Sequence, residues 1–192
     1  NDDIISANNA IKIFAIKNIG KSPSRFDIKK LNNINRYFLK NLPKKEVLKL
    51  VLNLLNDTYD KKIIDKNLDK LKLILDDLIA RSNNIKDLYI NSSFLFDEEI
   101  ILNQEARDII ERSNKIIIKE FISSLNNERD WSSNNIEIIT KSFAKENSLH
   151  LKDLAMPLRA SITGNKNSPN IFKIMSALGK DLSLNRLQKN YL

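Results

Sequence analysis

Two short segments carry residue types that suit the recognition of a nucleic acid. The first, residues 22–27, places Arg25 beside a proline turn that opens a helix, a geometry that suits a phosphate backbone. The second covers residues 156–164 and continues through 168–172, with Arg159 one turn before a predicted helix end. A guanidinium fork, free backbone N–H groups and an apolar platform can together hold unstacked bases. A capped turn without any ligand explains the first segment equally well.

The other candidates for chemistry have structural explanations. Residues 19–22 end like a phosphate-binding loop, but Ala15 occupies the position of the required glycine and no strand precedes it, so we reject this interpretation. The acidic residues 97–99 have no histidine or second carboxylate motif at metal spacing, which favours a solvated loop or helix start. His150 has no serine or cysteine arrangement to serve, and we expect a structural role. Trp131 precedes a helix cap, where packing onto the new helix is favoured over base stacking.

Composition excludes several classes of protein. The 192 residues include 32 Lys and Arg against 24 Asp and Glu, one His and no Cys, with a net charge of +8. These counts exclude disulfide frameworks, thiolate metal clusters, cysteine nucleophiles and histidine-based zinc sites. Hydrophobic residues form 42% of the chain, enough for a core, and no apolar run approaches the roughly 18 residues that span a bilayer. Because the chain begins at Asn1, we expect a piece of a longer protein.

Charge is distributed unevenly along the chain. Residues 1–56 carry 11 basic and 4 acidic side chains, a net +7, whereas residues 57–130 carry 12 and 16, a net −4. Residues 131–192 carry 9 and 4, a net +5. Two basic ends are typical of a protein that contacts a polyanion in two places. The abundance of Lys, Asn and Ile also fits codon drift in an AT-rich genome, so charge alone leaves nucleic-acid binding open.

The elements that must position these segments are predicted to be helices. Only three Gly and four Pro occur, and apolar residues recur at spacings of three and four, which predicts an all-α bundle or array of about nine to ten helices. The second helix should carry an apolar stripe formed by Ile28, Leu31, Ile34, Phe38 and Leu42. Pro157 should kink or split its helix. The predicted helices run from Ser6 to near Gly20, from Asp27 to Leu42, over 44–56 and 60–80, through Leu88 after a break at 82–84, over 103–126, through 136–143 after a cap at Ser132 or Ser133, over 149–162, from Ser168–Pro169 to Gly179, and on to about Lys189.

Several of these residues form composite motifs, and through them the chain resembles the C-terminal portion of bacterial glutamyl-tRNA synthetase, a class I aminoacyl-tRNA synthetase. The resemblance covers nearly all 192 residues and keeps the order of the motifs. The motifs are Ser22-Pro23-Ser24-Arg25-Phe26-Asp27 with Lys30-Leu31, Asn35 and Tyr37; Pro157-Leu158-Arg159 to Thr163-Gly164 with Ser168-Pro169; and Ala177-Leu178-Gly179-Lys180.

That family attaches glutamate to its tRNA with ATP, through an N-terminal Rossmann-type domain whose signature motifs are absent here. The resemblance therefore implies a fragment that binds tRNA and catalyses nothing, without a cofactor or metal of its own, since ATP and Mg belong to the missing catalytic domain. It implies that residues 1–42 end the stem-contact region. Residues 43–104 and 105–192 would then form two helical anticodon-binding subdomains.

The resemblance also assigns roles to individual residues. Arg81 aligns with the arginine that reads the last anticodon base in glutamate-discriminating members, although a surface arginine at a helix end is the alternative. Met156 stands where many members have Gln, which puts a polar contact there in doubt. The implied anticodon-binding residues are Arg81, Arg159, Thr163, Ser168, Pro169 and Ile171, and those for the stem backbone are Lys21, Arg25 and Lys29.

The expected partner is glutamate tRNA, with glutamine tRNA left open. We expect a cytoplasmic monomer without membrane contact. The alternative from another class is a helical-array module that binds proteins and has no nucleic-acid role.

Overall fold

The computed structural model describes residues 4–18, 20 and 25–192, which form helices joined by short loops, with no strand in these ranges. The all-α prediction is confirmed. No helix of the described ranges is long and apolar enough to cross a membrane. The α-helices are α1 (Ala7–Ile13), α2 (Ile28–Asn41), α3 (Lys44–Asn56), α4 (Lys61–Arg81), α5 (Ile85–Ser92), α6 (Gln104–Arg112), α7 (Lys115–Asn126), α8 (Ser133–Glu146), α9 (Leu151–Thr163), α10 (Ile171–Leu178) and α11 (Lys180–Tyr191), with 3₁₀ turns at Ile16–Asn18 and Ser93–Leu95.

The polar residues that the sequence places before helices cap them. Ser6, Asp27 and Ser132 each accept a hydrogen bond from the backbone N–H three residues later, at 3.2, 3.0 and 3.3 Å. The first helix is shorter than predicted, because it ends at Ile13 rather than near Gly20. No residue of α1 is buried, so no packing supports further turns of so short a helix.

The prediction of one long helix over 103–126 is wrong, because the chain breaks between α6 and α7. The Ser113 hydroxyl donates to the carbonyl of Ile110 at 2.6 Å, which satisfies a carbonyl at the end of α6. The Asn114 side chain accepts from the N–H of Ile117 at 3.3 Å and caps α7. These two polar side chains offer the backbone hydrogen bonds that compete with a continuous helix.

Pro157 does not split α9, which runs from Leu151 to Thr163 with the proline inside it. The proline ring is buried. Because proline has no backbone N–H, the helix lacks one backbone hydrogen bond at this position. Packing of α9 against α6, α8 and α11 compensates for this loss. Gly164 ends the helix in the left-handed region at φ 71°, and its carbonyl accepts from the N–H of Asn103 at 3.0 Å.

The apolar stripe predicted for α2 is largely exposed. Ile28 is 64% exposed and Phe38 40% exposed, whereas Leu39 is 3% exposed and is the buried residue of the helix. The contacts of α2 with α4 explain the difference, because the face that packs is rotated away from the stripe and centred on Leu39. The other face of α2 is free to carry its basic residues.

A buried polar network joins the two halves of the fold. The Arg186 guanidinium on α11 donates to the carbonyls of Ile162 (3.0 Å) and Asp97 (2.9 Å). The Asp97 carboxylate accepts from the Tyr59 hydroxyl at 2.6 Å. Burial lowers the pKa of Arg186 to about 10, against the opposing effect of Asp97. This network fixes the C-terminal end of α9. The packing of α10 on α4, with an ion pair between Lys173 and Asp77 at 2.8 Å, fixes the C-terminal end of α4.

Candidate nucleic-acid interface

A cleft of about 390 Å³ lies where the end of α4 faces the loop between α9 and α10. Arg81, the last residue of α4, forms one wall, and Ser168 and Pro169 form the opposite wall. Arg81 and the loop of Ser168 and Pro169, both predicted for the anticodon site, therefore meet in one place although they are some 90 positions apart in the chain. The cleft is lined by Arg36, Ala80, Arg81, Asn91, Asn167, Ser168 and Pro169.

Arg159 lies next to this cleft, where Ser168 and Met156 hold its side chain. Its Nε donates to Ser168 Oγ at 2.9 Å, and one terminal nitrogen lies 3.5 Å from the sulfur of Met156. Met156 thus supplies a weak acceptor at the position where the sequence left a polar contact in doubt. The other terminal nitrogen has no hydrogen bond within the described part of the chain and is available to a ligand.

Ser168 has a different role from the predicted helix cap. Asn170 caps α10 by accepting from the N–H groups of Phe172 (2.9 Å) and Lys173 (3.4 Å), so the helix begins at Ile171 and the predicted start at Ser168–Pro169 is wrong. The asparagine wins because its side-chain oxygen reaches both N–H groups. Ser168 is consequently free to orient Arg159.

The cleft concentrates positive charge, and no described residue pairs with these cations. Arg36 and Arg81 are exposed, and neither makes a hydrogen bond or ion pair within the described residues. Burial, and then the neighbouring Arg81 cation, lower the pKa of Arg159 below its usual value. The Arg159 guanidinium nevertheless remains a cation near neutral pH, because arginine loses its proton only far above it. Converging cations without an acidic partner are costly alone and favour a polyanionic ligand.

The remaining predicted residues lie in several places. Thr163 is the last residue of α9. Its hydroxyl donates to the carbonyl of Arg159 at 2.9 Å and also lies 3.1 Å from the carbonyl of Asn165, so it stabilises the start of the loop. Ile171 is 2% exposed and packs in the core beneath the cleft. Arg25 is exposed just before α2, Lys29 is exposed in its first turn, and Lys21 lies outside the described residues.

A basic face on α2 leads into the cleft. Lys29, Asn33, Arg36 and Lys40 recur at spacings of four, three and four and line a second cavity of about 530 Å³. Arg36 also lines the cleft of Arg81, so the two cavities share this side chain. From Lys29 to Lys40 the face is about 16 Å long at 1.5 Å per residue. Phosphates along one strand could follow it into the cleft.

The sequence did not point to three polar residues of the cleft: Arg36, Asn91 and Asn167. The i, i+4, i+7 spacing of Lys29, Asn33 and Arg36 was a signal for the first. No sequence pattern marks Asn91, whose amide donates to Ser82 Oγ at 3.2 Å, or Asn167, whose N–H donates to Asn165 Oδ1 at 3.0 Å. Their positions in the cleft depend on the tertiary packing of α5 and of the 164–170 loop.

The residues set aside as structural are used structurally. The Trp131 indole N–H donates to the carbonyl of Met175 at 2.9 Å, which fastens the start of α8 to α10. His150 begins α9, and its backbone N–H donates to the Asp153 carboxylate at 2.9 Å. Among the acidic residues 97–99, Glu99 pairs with Lys189 at 3.0 Å. Within the described part of the chain no cluster of His, Asp or Glu could hold a metal ion.

The sequence of the chain matches a known family over most of its length. Residues 38–191 match the family described as the anticodon binding domain. The chain belongs to this family. The match begins inside α2 and includes the whole cleft except for Arg36, whose position precedes it. The resemblance to glutamyl-tRNA synthetase stated from the motifs is confirmed by the relatives below.

Curated relatives carry the name glutamate–tRNA ligase. Glutamate–tRNA ligase 2 of Rickettsia akari is 37% identical over 189 residues, which are 98% of this chain and 40% of that protein. The enzyme of the same name from Rickettsia typhi is 37% identical over 191 residues, again 40% of its length. The chain therefore spans about 40% of the length of these relatives.

Solved structures show the same fold. A glutamate tRNA ligase from Elizabethkingia meningosepticum, crystallised in complex with its amino acid, superposes with a TM-score of 0.69 at 20% identity. The match covers 97% of this chain and 36% of that one. A glutamate–tRNA synthetase from Elizabethkingia anophelis gives a TM-score of 0.65 at 21% identity.

Proposed function

We propose that this chain is the anticodon-recognising, tRNA-binding part of a glutamate–tRNA ligase. Two observations together carry the proposal: Arg36 and Arg81 line one cleft, and Ser168 of the same cleft holds Arg159 beside it. None of the three arginines has an acidic partner among the described residues. A tRNA anticodon offers both the phosphates that such charge requires and the base edges that oriented donors can read. Family membership supports the assignment, because the cleft is built almost entirely from the matched residues.

In this proposal Arg159 and Arg81 read bases. Ser168 accepts a hydrogen bond from Arg159 Nε and thereby fixes the plane of the guanidinium. The free terminal nitrogen therefore has a defined direction, although the side chain itself is long and flexible. Arg81, at the end of α4, approaches the same space and pairs with the acceptor edge of the last anticodon base. Pro169 gives an apolar surface beside them, and Thr163 and Ile171 hold the loop in place from below.

The basic face of α2 binds the phosphate backbone. Lys29, Arg36 and Lys40 neutralise successive phosphates of the anticodon stem, and Arg25 extends this surface before the helix. Arg36 stands at the junction of the two cavities and so joins backbone contact to base readout.

Catalysis belongs to the part of the relatives that this chain does not span. Glutamate activation with ATP and Mg would occur there, and we propose that residues 1–192 alone attach no glutamate to tRNA. We further propose that the chain acts as a cytoplasmic monomer, with glutamate tRNA as its partner. Arg81 would distinguish this tRNA from glutamine tRNA through the last anticodon base.

The test is binding of purified tRNA at two salt concentrations. Wild-type chain should bind glutamate tRNA, and its affinity should fall steeply as salt rises, by nearly one power of salt concentration for each phosphate contact. Arg159→Met should weaken binding while thermal unfolding reports that the variant is folded. Lys62→Met, which removes an exposed lysine at the start of α4, about 28 Å along that helix from Arg81, is the matched control and should bind like wild type.

Binding that does not depend on salt, or no binding at all, would contradict the proposal. Capture of a protein partner by the exposed apolar face of α2, with no tRNA affinity, would favour the interaction-module alternative instead.

A further inference from the structure

Asn91 lines the cleft together with Arg81, and its side-chain amide is held in one orientation. Its Nδ2 donates to Ser82 Oγ at 3.2 Å. Ser82 follows Arg81 in the chain and is fully buried, and it donates its single hydroxyl proton to the carbonyl of Leu78 at 2.8 Å. The serine oxygen can therefore only accept from Asn91, so the amide nitrogen must face it. The amide oxygen Oδ1 is left on the side away from the buried serine.

The backbone that carries Asn91 is fixed as well. Asn91 lies in the last turn of α5, which packs against α3 and α4. Asn84 begins this helix by accepting from the N–H of Asp87 at 2.8 Å. The Asp87 carboxylate in turn accepts from the backbone N–H of Asn83 at 3.1 Å, and Leu88 is fully buried. Caps and packing of this kind hold a helix of two turns in place, so the position of the Asn91 amide is defined.

Asn91 gives the cleft an acceptor among side chains that are mainly donors. Its Oδ1 accepts no hydrogen bond from another described residue, whereas the Arg81 guanidinium carries donors only. Ser168 Oγ already accepts from Arg159. Asn167, the other amide of the cleft, is exposed, and its side chain makes no hydrogen bond to a described residue, so that amide can turn either way. The cleft thus combines a guanidinium fork with one acceptor of defined direction.

This combination suits one edge of one kind of base. The Watson–Crick edge of cytosine presents two neighbouring acceptors, O2 and N3, followed by the N4 amino group. Two donors of Arg81 and the Oδ1 acceptor of Asn91 match that order. Uracil would place a carbonyl oxygen against Oδ1, and guanine offers only one acceptor on this edge. A guanidinium attracts any acceptor, so the fork alone rejects a missing amino group poorly.

We propose that Asn91 is a specificity-determining residue of the cleft, whose Oδ1 accepts a hydrogen bond from the exocyclic amino group of the anticodon base that Arg81 contacts. Ser82 is the positioning residue, because it turns the amide so that the oxygen faces the base. A base without the amino group leaves Oδ1 unpaired in the occupied cleft, which lowers its affinity. The inference rests on the proposed function, since it adds a second contact to the base assigned to Arg81.

The experiment compares two RNAs that differ in one amino group. Both are fluorescent stem-loops with the anticodon arm of glutamate tRNA, whose last anticodon base is cytosine; the second RNA carries pyrimidin-2-one there, which lacks only the amino group. Wild-type chain should bind the second RNA about three- to tenfold more weakly, as expected for one neutral hydrogen bond. Asn91→Ala should bind the cytosine RNA more weakly by a similar factor, and its affinities for the two RNAs should agree within about twofold.

Two other variants separate the role of Asn91 from general effects on the cleft. Asn167→Ala is the matched control, because it removes an amide of the same cleft that nothing orients, and it should keep the wild-type preference for cytosine. Ser82→Ala should lower the preference, because the Asn91 amide can then turn its nitrogen towards the base. Thermal unfolding reports whether each variant is folded, and Asn91→Leu, which keeps the size of the side chain, repeats the measurement if Asn91→Ala is not.

The outcomes distinguish this inference from the proposed function. If wild type binds both RNAs equally, or if folded Asn91→Ala keeps the full preference for cytosine, the inference is wrong, while weaker binding of both RNAs by Arg159→Met leaves the proposed function standing. A variant of Asn91 that weakens both RNAs by the same factor would show a structural role only and would also overturn the inference. If wild type binds neither RNA, the proposed function fails and this inference fails with it.

Discussion

Substitution of Arg81 by alanine should separate stability from binding. Arg81 is exposed, ends α4 and makes no hydrogen bond or ion pair with another described residue. Its loss therefore removes no hydrogen bond or ion pair among the described residues, and it relieves the repulsion that helps to lower the pKa of Arg159. The lost attraction between the cation and the C-terminal end of α4 opposes this gain, so we expect the free energy of unfolding to change by less than about 0.5 kcal/mol.

The affinity of the Arg81→Ala chain for glutamate tRNA should fall. A bidentate arginine contact to a base contributes about 1–3 kcal/mol, which corresponds to about a 5- to 150-fold loss of affinity for glutamate tRNA. Fluorescence anisotropy at constant salt would measure the affinity, and urea unfolding followed by circular dichroism would measure the stability. Lys86→Ala is the matched control, because Lys86 is an exposed cation of α5 that does not line the cleft.

Two results would refute this reasoning. A loss of more than about 1.5 kcal/mol of stability would show that Arg81 has a structural role that its lack of partners does not reveal. Unchanged affinity in a folded Arg81→Ala chain would show that the cleft does not contact the anticodon.

Three further predictions concern the scaffold that positions the cleft. Gly164→Ala should lower the free energy of unfolding by about 2–3 kcal/mol, because φ is 71° and a Cβ would lie 2.8 Å from Ile100 Cγ2. Chemical denaturation measures this change, and an unchanged stability would show that the close approach to Ile100 has no cost. Arg186→Met should cost about 1–3 kcal/mol by leaving two buried carbonyls unpaired; a more stable variant in the same assay would show that desolvation of the cation outweighs its hydrogen bonds. Burial and the bond to Asp97 raise the pKa of Tyr59, so its contribution is present below about pH 10 and is lost as pH rises further. Urea unfolding at several alkaline pH values should accordingly show a weaker pH dependence for Tyr59→Phe, and an unchanged dependence would count against this role.

The local signals in the sequence predicted much of the helical framework. Capping residues such as Ser6 and Asp27 and the stop at residues 126–127 act through bonds to nearby backbone groups, so their effect is readable from a few adjacent positions. The same local reasoning failed at residues 113–114. There the apolar spacing continues across the break, and only the competing side-chain bonds of Ser113 and Asn114 end one helix and begin another.

The sequence predicted only part of the cleft, because the cleft forms through tertiary packing of distant segments. Arg81, Arg159 and Ser168 were identified through motifs, but their convergence depends on the packing of α10 against α4 and on the buried bonds of Arg186, which join residues far apart in sequence. Arg36 was missed because the residues that form the cleft with it lie on other helices and in the loop after α9. The exposed stripe of α2 was misread for the same reason, since only tertiary contact decides which face of an amphipathic helix is buried.

Nuclease footprinting of glutamate tRNA by the 192-residue chain shows whether the anticodon lies at the cleft of Arg36 and Arg81 and at the neighbouring Arg159. We expect protection of the anticodon nucleotides and of one strand of the adjoining stem, with the anticodon protection lost in Arg159→Met. A bound tRNA whose anticodon remains open to cleavage, or one protected only at its acceptor end, would contradict it.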